Sequence, residues 1–169
     1  MSRTRTTALL GLAVSAATLA AMSLVFADDE RESRALTTPA APGAERYRSE
    51  CGSCHLAYPP GLLSPSEWTR VMSGLEQHFG DNAELGPEAR SEITAYLTRH
   101  GGRDQPPQSA LRITGKRWFR HEHDELPARM VQDNPQVRSF SNCAACHRDA
   151  AQGGFDEHRV LVPNYGRWD

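Results

Sequence analysis

Aromatic side chains are scarce in this chain. They make up 7% of its 169 residues, and all apolar types together reach only 38%. A core built from such side chains alone would be thin. An excess of one charge is also lacking. Nineteen basic residues stand against 21 acidic ones, for a formal net charge of −2, so there is no basic footprint for nucleic acid. Cysteine is rare too. The chain has four, all of them in two short stretches, and none is left over for any other role.

Those stretches are Cys51-Gly-Ser-Cys54-His55 and Cys143-Ala-Ala-Cys146-His147. Each reads C-x-x-C-H, the attachment pattern for a c-type haem. The spacing follows from the chemistry. Two thiols three positions apart can add across the two vinyl groups of one porphyrin. The histidine after the second thiol then lies under the ring and ligates the iron. A lone C-x-x-C could instead be a disulfide or a redox pair, and two pairs could hold zinc. Zinc pairs lie about 15–20 residues apart, whereas these are far more widely separated. Neither alternative needs a histidine directly after each second cysteine. Two covalently bound haem c groups are therefore expected, attached through Cys51, Cys54, Cys143 and Cys146, with His55 and His147 as proximal ligands.

Residues 1–27 read as a secretory signal peptide. Arg3 and Arg5 supply the positive start, Leu9 to Phe26 the apolar stretch, and Val25-Phe26-Ala27 a small-residue cleavage site. The apolar run is also about long enough to span a bilayer, so a retained anchor is the competing reading. Export agrees with the two motifs, because c-type haem is attached outside the cytoplasm. The expected location is the periplasm. Residues 28–43, charged and then Pro/Ala-rich, read as a flexible leader. From residue 44 onward the chain is expected to be mainly α. Two small cytochrome c-like helical units with long loops, 44–102 and 103–169, would each be built around one covalent haem. The polar stretch around Pro106-Pro107 marks the boundary.

Helices are expected over 44–55, 65–79, 87–100 and 115–126. The second is the best signalled. Ser64 can cap it, Pro65 suits its first position, and Glu67 completes a capping box. Trp68, Val71, Met72, Leu75 and Phe79 trace its apolar face. The stretch 127–138 reads as loop, and Val160 to Val162 form a short closing segment.

Function turns on the sixth position of each iron. A methionine there raises the potential, two histidines keep it low, and an open site permits ligand binding or catalysis. For the first haem the candidates are His78, His100, Met72 and Met130. His78 follows the apolar stripe and precedes Phe79-Gly80, so it can project into the space a haem fills. Met72 has the position of a core residue, and His100 that of a residue at a helix end. For the second haem the candidates are His121, His123, His158 and Met130. His123 shares a face with Phe119 and Leu126, whereas His121 points with Glu125. The candidates for the first haem follow its motif, whereas the best candidates for the second precede its own, so the two units are not copies of each other.

The chain resembles the small periplasmic dihaem cytochrome c family of proteobacteria. The resemblance rests on Trp68-x-x-x-Met72 followed by His78-Phe79-Gly80-Asp81, and on Trp118-Phe119 followed by His123. It rests also on Cys143 to His147 with the flanking Phe140 and Asn142. It implies two bis-histidine, low-spin, low-potential haems lying close together between two small helical domains. By position it implies His55 with His78, and His147 with His123. His121 departs from the pattern and leaves an exchange with His123 open. The resemblance further implies partner cytochromes as redox partners, either a soluble haem protein or a membrane b-type cytochrome.

The expected function is transfer of single electrons, with no catalytic residues, no small-molecule substrate and no nucleic acid. The alternative is a haem-based ligand-binding or peroxidase-like protein with one open or labile iron. A fixed subunit of a larger membrane complex is a third reading, compatible with the first chemistry. Two buried porphyrins would supply much of the apolar surface that the side chains lack. The haem-free chain is therefore expected to be poorly folded, and near-native circular dichroism from a haem-free preparation would contradict this.

Overall fold

A computed structural model describes residues 40–103 and 110–168. The expected signal peptide, most of the expected leader and the Pro106-Pro107 stretch lie outside the described residues. Four α-helices order the described chain: α1 (Ala44–Cys51), α2 (Pro65–Met72), α3 (Pro87–His100) and α4 (Arg117–Glu122). A small antiparallel hairpin, β1 (Leu161–Val162) and β2 (Gly166–Arg167), closes it. Short 3-10 turns occupy much of the second half. The fold is mainly helical, as expected.

α2 begins as its sequence demands. The Ser64 hydroxyl accepts from the Glu67 N–H, and the Glu67 carboxylate accepts from the Ser64 N–H at 3.1 Å. The helix then stops at Met72 instead of running to Phe79. Gly74 is a poor helix former, and its N–H bonds the Val71 carbonyl, so the last turn tightens to 3-10 spacing. The chain folds back, and the Ala83 N–H reaches the Leu75 carbonyl at 2.9 Å. α3 matches its expected limits, from Pro87 to the stop at Gly101-Gly102. Glycine is required there. A side chain at position 102 would meet the Gly61 carbonyl oxygen at 2.2 Å.

α1 and α4 are shorter than expected. Gly52 caps α1, its N–H bonding the Arg48 carbonyl at 3.0 Å, so only Cys51 of the first motif is helical. α4 ends at Glu122 because His123 leaves the helical region, with φ −128° and ψ 11°. Its ring then takes the Phe119 carbonyl that a continuing helix would have used.

The first core joins α1, α2 and α3 through Tyr47, Trp68, Val71, Met72, Leu75, Ile93, Tyr96 and Leu97, with Leu111 and Ile113 packed at its edge. Its polar handles are satisfied. Tyr47 donates to the Tyr58 carbonyl at 2.7 Å and Trp68 to the Pro60 carbonyl at 2.7 Å. The second core is smaller. Met130, Val131, Val137 and Val162 form it, edged by Leu126, Phe140, Cys146 and Trp168. Buried Asn134 serves it as a polar pin. It donates to the Pro163 carbonyl at 2.8 Å and accepts from Gln136 and Asn164, tying the loop to the hairpin.

Among the described residues, an ion pair links the two halves. Lys116, the chain's single lysine, is 2% exposed and pairs with Glu67, the residue that also completes the α2 cap. Burial alone would raise the Glu67 carboxyl. The hydrogen bonds from Lys116 and Ser64 outweigh it and hold the group below its usual value. Removing one partner of a buried pair leaves a charge without compensation, at a cost of about 3 kcal/mol or more. Glu67→Ala is expected to lose about that much. Lys116→Met should lose less, because Glu67 still reaches solvent. Denaturant titrations of both variants check the ranking, and an equal or reversed loss would contradict it.

Candidate metal centres

The first motif leaves the end of α1 and turns sharply. The His55 Nδ1 lies 2.7 Å from the Leu56 carbonyl oxygen. That oxygen can only accept, so Nδ1 carries the proton and Nε2 keeps its lone pair for a metal. Opposite His55 stands His78, with ring centres 6.1 Å apart and planes 15° apart. His78 is carried by the chain reversal after α2 rather than by a helix. Two successive residues in the left-handed region, Phe79 (φ 57°) and Gly80 (φ 112°), make the turn. The Asp81 N–H returns to the His78 carbonyl at 3.2 Å. A left-handed phenylalanine costs roughly 1–2 kcal/mol. Arg112 holds it there, donating to the Phe79 carbonyl at 2.9 Å while its guanidinium lies 4.5 Å from the centre of the Phe79 ring.

The second motif opens with a 3-10 turn, Cys143–Ala145, and the His147 N–H bonds the Cys143 carbonyl at 2.8 Å. The histidine opposite is His123, with ring centres 6.2 Å apart and planes 67° apart. His123 is held on two sides. Its ring lies on Phe119 at 4.0 Å with planes 11° apart, and its Nδ1 meets the Phe119 carbonyl oxygen at 2.8 Å. Again Nε2 is the free nitrogen. Phe140 stands edge-on to His123, and Phe155 packs against His147 at 5.1 Å.

Two imidazoles bound to opposite sides of one metal at about 2 Å each have ring centres roughly 6 Å apart. Both pairs have this separation. The electrostatics agree. Burial, reinforced by the neighbouring His123, pushes His147 down to about 4. Burial and then His55 lower His78 as well. Both imidazoles thus stay neutral, the form that ligates metals. The thiols behave in the opposite way to reactive redox cysteines, whose values are depressed. Burial lifts Cys51 to about 11 and raises Cys143 and Cys146. All four cysteines are unpaired. Among the described residues, no group of three or more His, Cys, Asp or Glu side chains forms a metal cage. The donor set therefore fits two haem groups, and it does not fit one zinc ion.

The other candidate ligands lie elsewhere. His121 is 82% exposed and faces Asp124, and His158 is 80% exposed beside Glu157. Met72 and Met130 are buried in the two cores. His100 packs on Tyr96 at 5.1 Å. Sequence reasoning missed Tyr58, Arg112 and Phe155. Tyr58 sits in a Tyr-Pro-Pro-Gly run that reads only as a turn, yet its ring lies against His55 at 5.1 Å.

Residues 47–155 match the family described as dihaem cytochrome c. Two solved structures are similar to the chain. A dihaem cytochrome type c from Shewanella baltica is 47% identical, with a TM-score of 0.69, over 76% of this chain and 100% of that one. A dihaem cytochrome c from Rhodobacter sphaeroides is 40% identical, with a TM-score of 0.58, over 66% of this chain and 96% of that one. No curated protein sequence matches the chain.

The turn that carries His78 should be sensitive to its glycine. Gly80→Ala places a side chain in open space but at φ 112°, so its cost is conformational, about 1–2 kcal/mol. Gly74→Ala, at φ −125°, should be nearly neutral. Denaturation midpoints of the two variants check this, and equal losses would contradict it.

Proposed function

The chain belongs to the dihaem cytochrome c family, and we propose that it is a periplasmic carrier of single electrons with both haem irons six-coordinate and bis-histidine. The observation that carries this reading is the pair of imidazole separations, 6.1 Å for His55 and His78 and 6.2 Å for His147 and His123. Bound haem supplies a one-electron iron couple. The chain's own residues do the rest. Cys51 with Cys54, and Cys143 with Cys146, attach the two groups. His55 and His147 ligate from one side, and His78 and His123 from the other. Carbonyl oxygens at Nδ1 of His55 and His123 fix the tautomer and orient the ring.

Closing both sides of each iron excludes substrate from the metal, so electrons are the cargo and no bond is made or broken in a substrate. Two histidine ligands on each iron keep the potential low. Exchange then takes place with redox proteins, a soluble haem protein or a membrane b-type cytochrome, through small and short-lived interfaces. Residues 1–27 direct the chain to the periplasm.

His78→Ala and His123→Ala, made separately, should each convert one haem from low-spin to high-spin, while His121→Ala leaves both low-spin. The two sites should also differ in electron paramagnetic resonance. Planes 15° apart give an ordinary rhombic low-spin signal, and planes 67° apart a far more anisotropic one. Two low-spin haems surviving in His78→Ala would overturn the first ligand assignment, and survival in His123→Ala the second.

A further inference from the structure

We infer that Tyr58 is the strut that sets the contact between the two haem sites and carries the electronic coupling from one to the other. The inference rests on the two-haem reading above. Tyr58 touches both motif segments. Its ring packs on the proximal His55, with centres 5.1 Å apart and planes 26° apart, an offset stack. Its hydroxyl donates to the Ser141 carbonyl at 3.1 Å, across 83 residues of sequence. The same carbonyl oxygen lies 3.8 Å from the Cys143 Sγ, the first attachment thiol of the second motif. The His55 ring, the Tyr58 ring, the Ser141 carbonyl and Cys143 thus form one contiguous path.

The strut has a rigid base. The Tyr58 carbonyl accepts from the hydroxyl of Tyr47, which is 2% exposed. Pro59 and Pro60 follow it and are fully buried, and Trp68 donates to the Pro60 carbonyl. These contacts fix the backbone from which the phenol projects.

Tyr58 acts as a positioning residue. It touches no iron and takes no charge. As one electron crosses, one site is oxidised and the other reduced, and the phenol is neither. An aromatic ring on this path couples the two sites better than an aliphatic side chain or water does. The hydroxyl ties the second motif segment to this ring.

The test compares Tyr58→Phe, Tyr58→Leu and the control Tyr165→Phe in the purified holoprotein. Tyr165 also donates to a backbone carbonyl, that of Arg129 at 3.1 Å, but away from both motifs. The readouts are the inter-haem electron exchange rate after pulsed one-electron reduction, the magnetic interaction between the two ferric irons, and the melting temperature. Tyr58→Phe should slow exchange several-fold, and Tyr58→Leu should slow it further. Both should weaken the magnetic interaction, and Tyr165→Phe should change neither. Lower melting temperatures with wild-type exchange and wild-type magnetic interaction would make Tyr58 merely structural and overturn the inference. Spin state is read on the same samples. A high-spin iron in the wild-type protein would overturn the six-coordinate reading, while the exchange rates would still decide the role of Tyr58.

Discussion

The fold depends on holding two imidazoles about 6 Å apart, twice. Each pair must come from segments well separated along the chain and must present Nε2 inward. Regular helices alone do not meet these demands. Had α2 run on to Phe79, His78 would ride on the helix instead of being turned back toward His55. The helix instead breaks at Ser73-Gly74, and a left-handed Phe79-Gly80 pair turns the chain. Had α4 run to Leu126, the Phe119 carbonyl would be spent on the backbone of His123 and not on its ring. In both places regular hydrogen bonding gives way at a histidine of one of the two pairs.

The two centres solve the same problem with different parts. In the first the outer histidine follows the motif and hangs on a strained turn. Arg112 steadies that turn through the Phe79 carbonyl and ring. In the second the outer histidine precedes the motif and is clamped between an aromatic face and its own helix end. The surroundings differ as well. Three helices and three large aromatics support the first centre. Four aliphatic or thioether side chains, a buried asparagine and a two-rung hairpin support the second. Attached haem supplies apolar surface in proportion most where side chains supply least, in the second half.

Much of this was legible in the sequence, for identifiable reasons. Covalent attachment has strict spacing, so both motifs announce themselves. The capping box of α2 and the proline and glycine bounds of α3 are local signals, and both helix starts follow them. The apolar faces correctly placed Met72 in a core and set His123 beside Phe119. The ends of α2 and α4 were not legible, because they are decided by tertiary demands on His78 and His123. The hairpin was hidden, since two residues per strand carry no periodicity. Tyr58 and Arg112 escaped notice because their partners, Ser141 and Phe79, are distant in sequence, and each partner contact is made by a backbone carbonyl.

The central claim is that both irons are closed by histidine on both sides. Its most direct test is the optical spectrum of the reduced holoprotein before and after carbon monoxide is added. The account predicts an unchanged spectrum. A shift in either haem would mean an open or easily displaced sixth position, and the chain would then be a ligand-binding or catalytic haem protein.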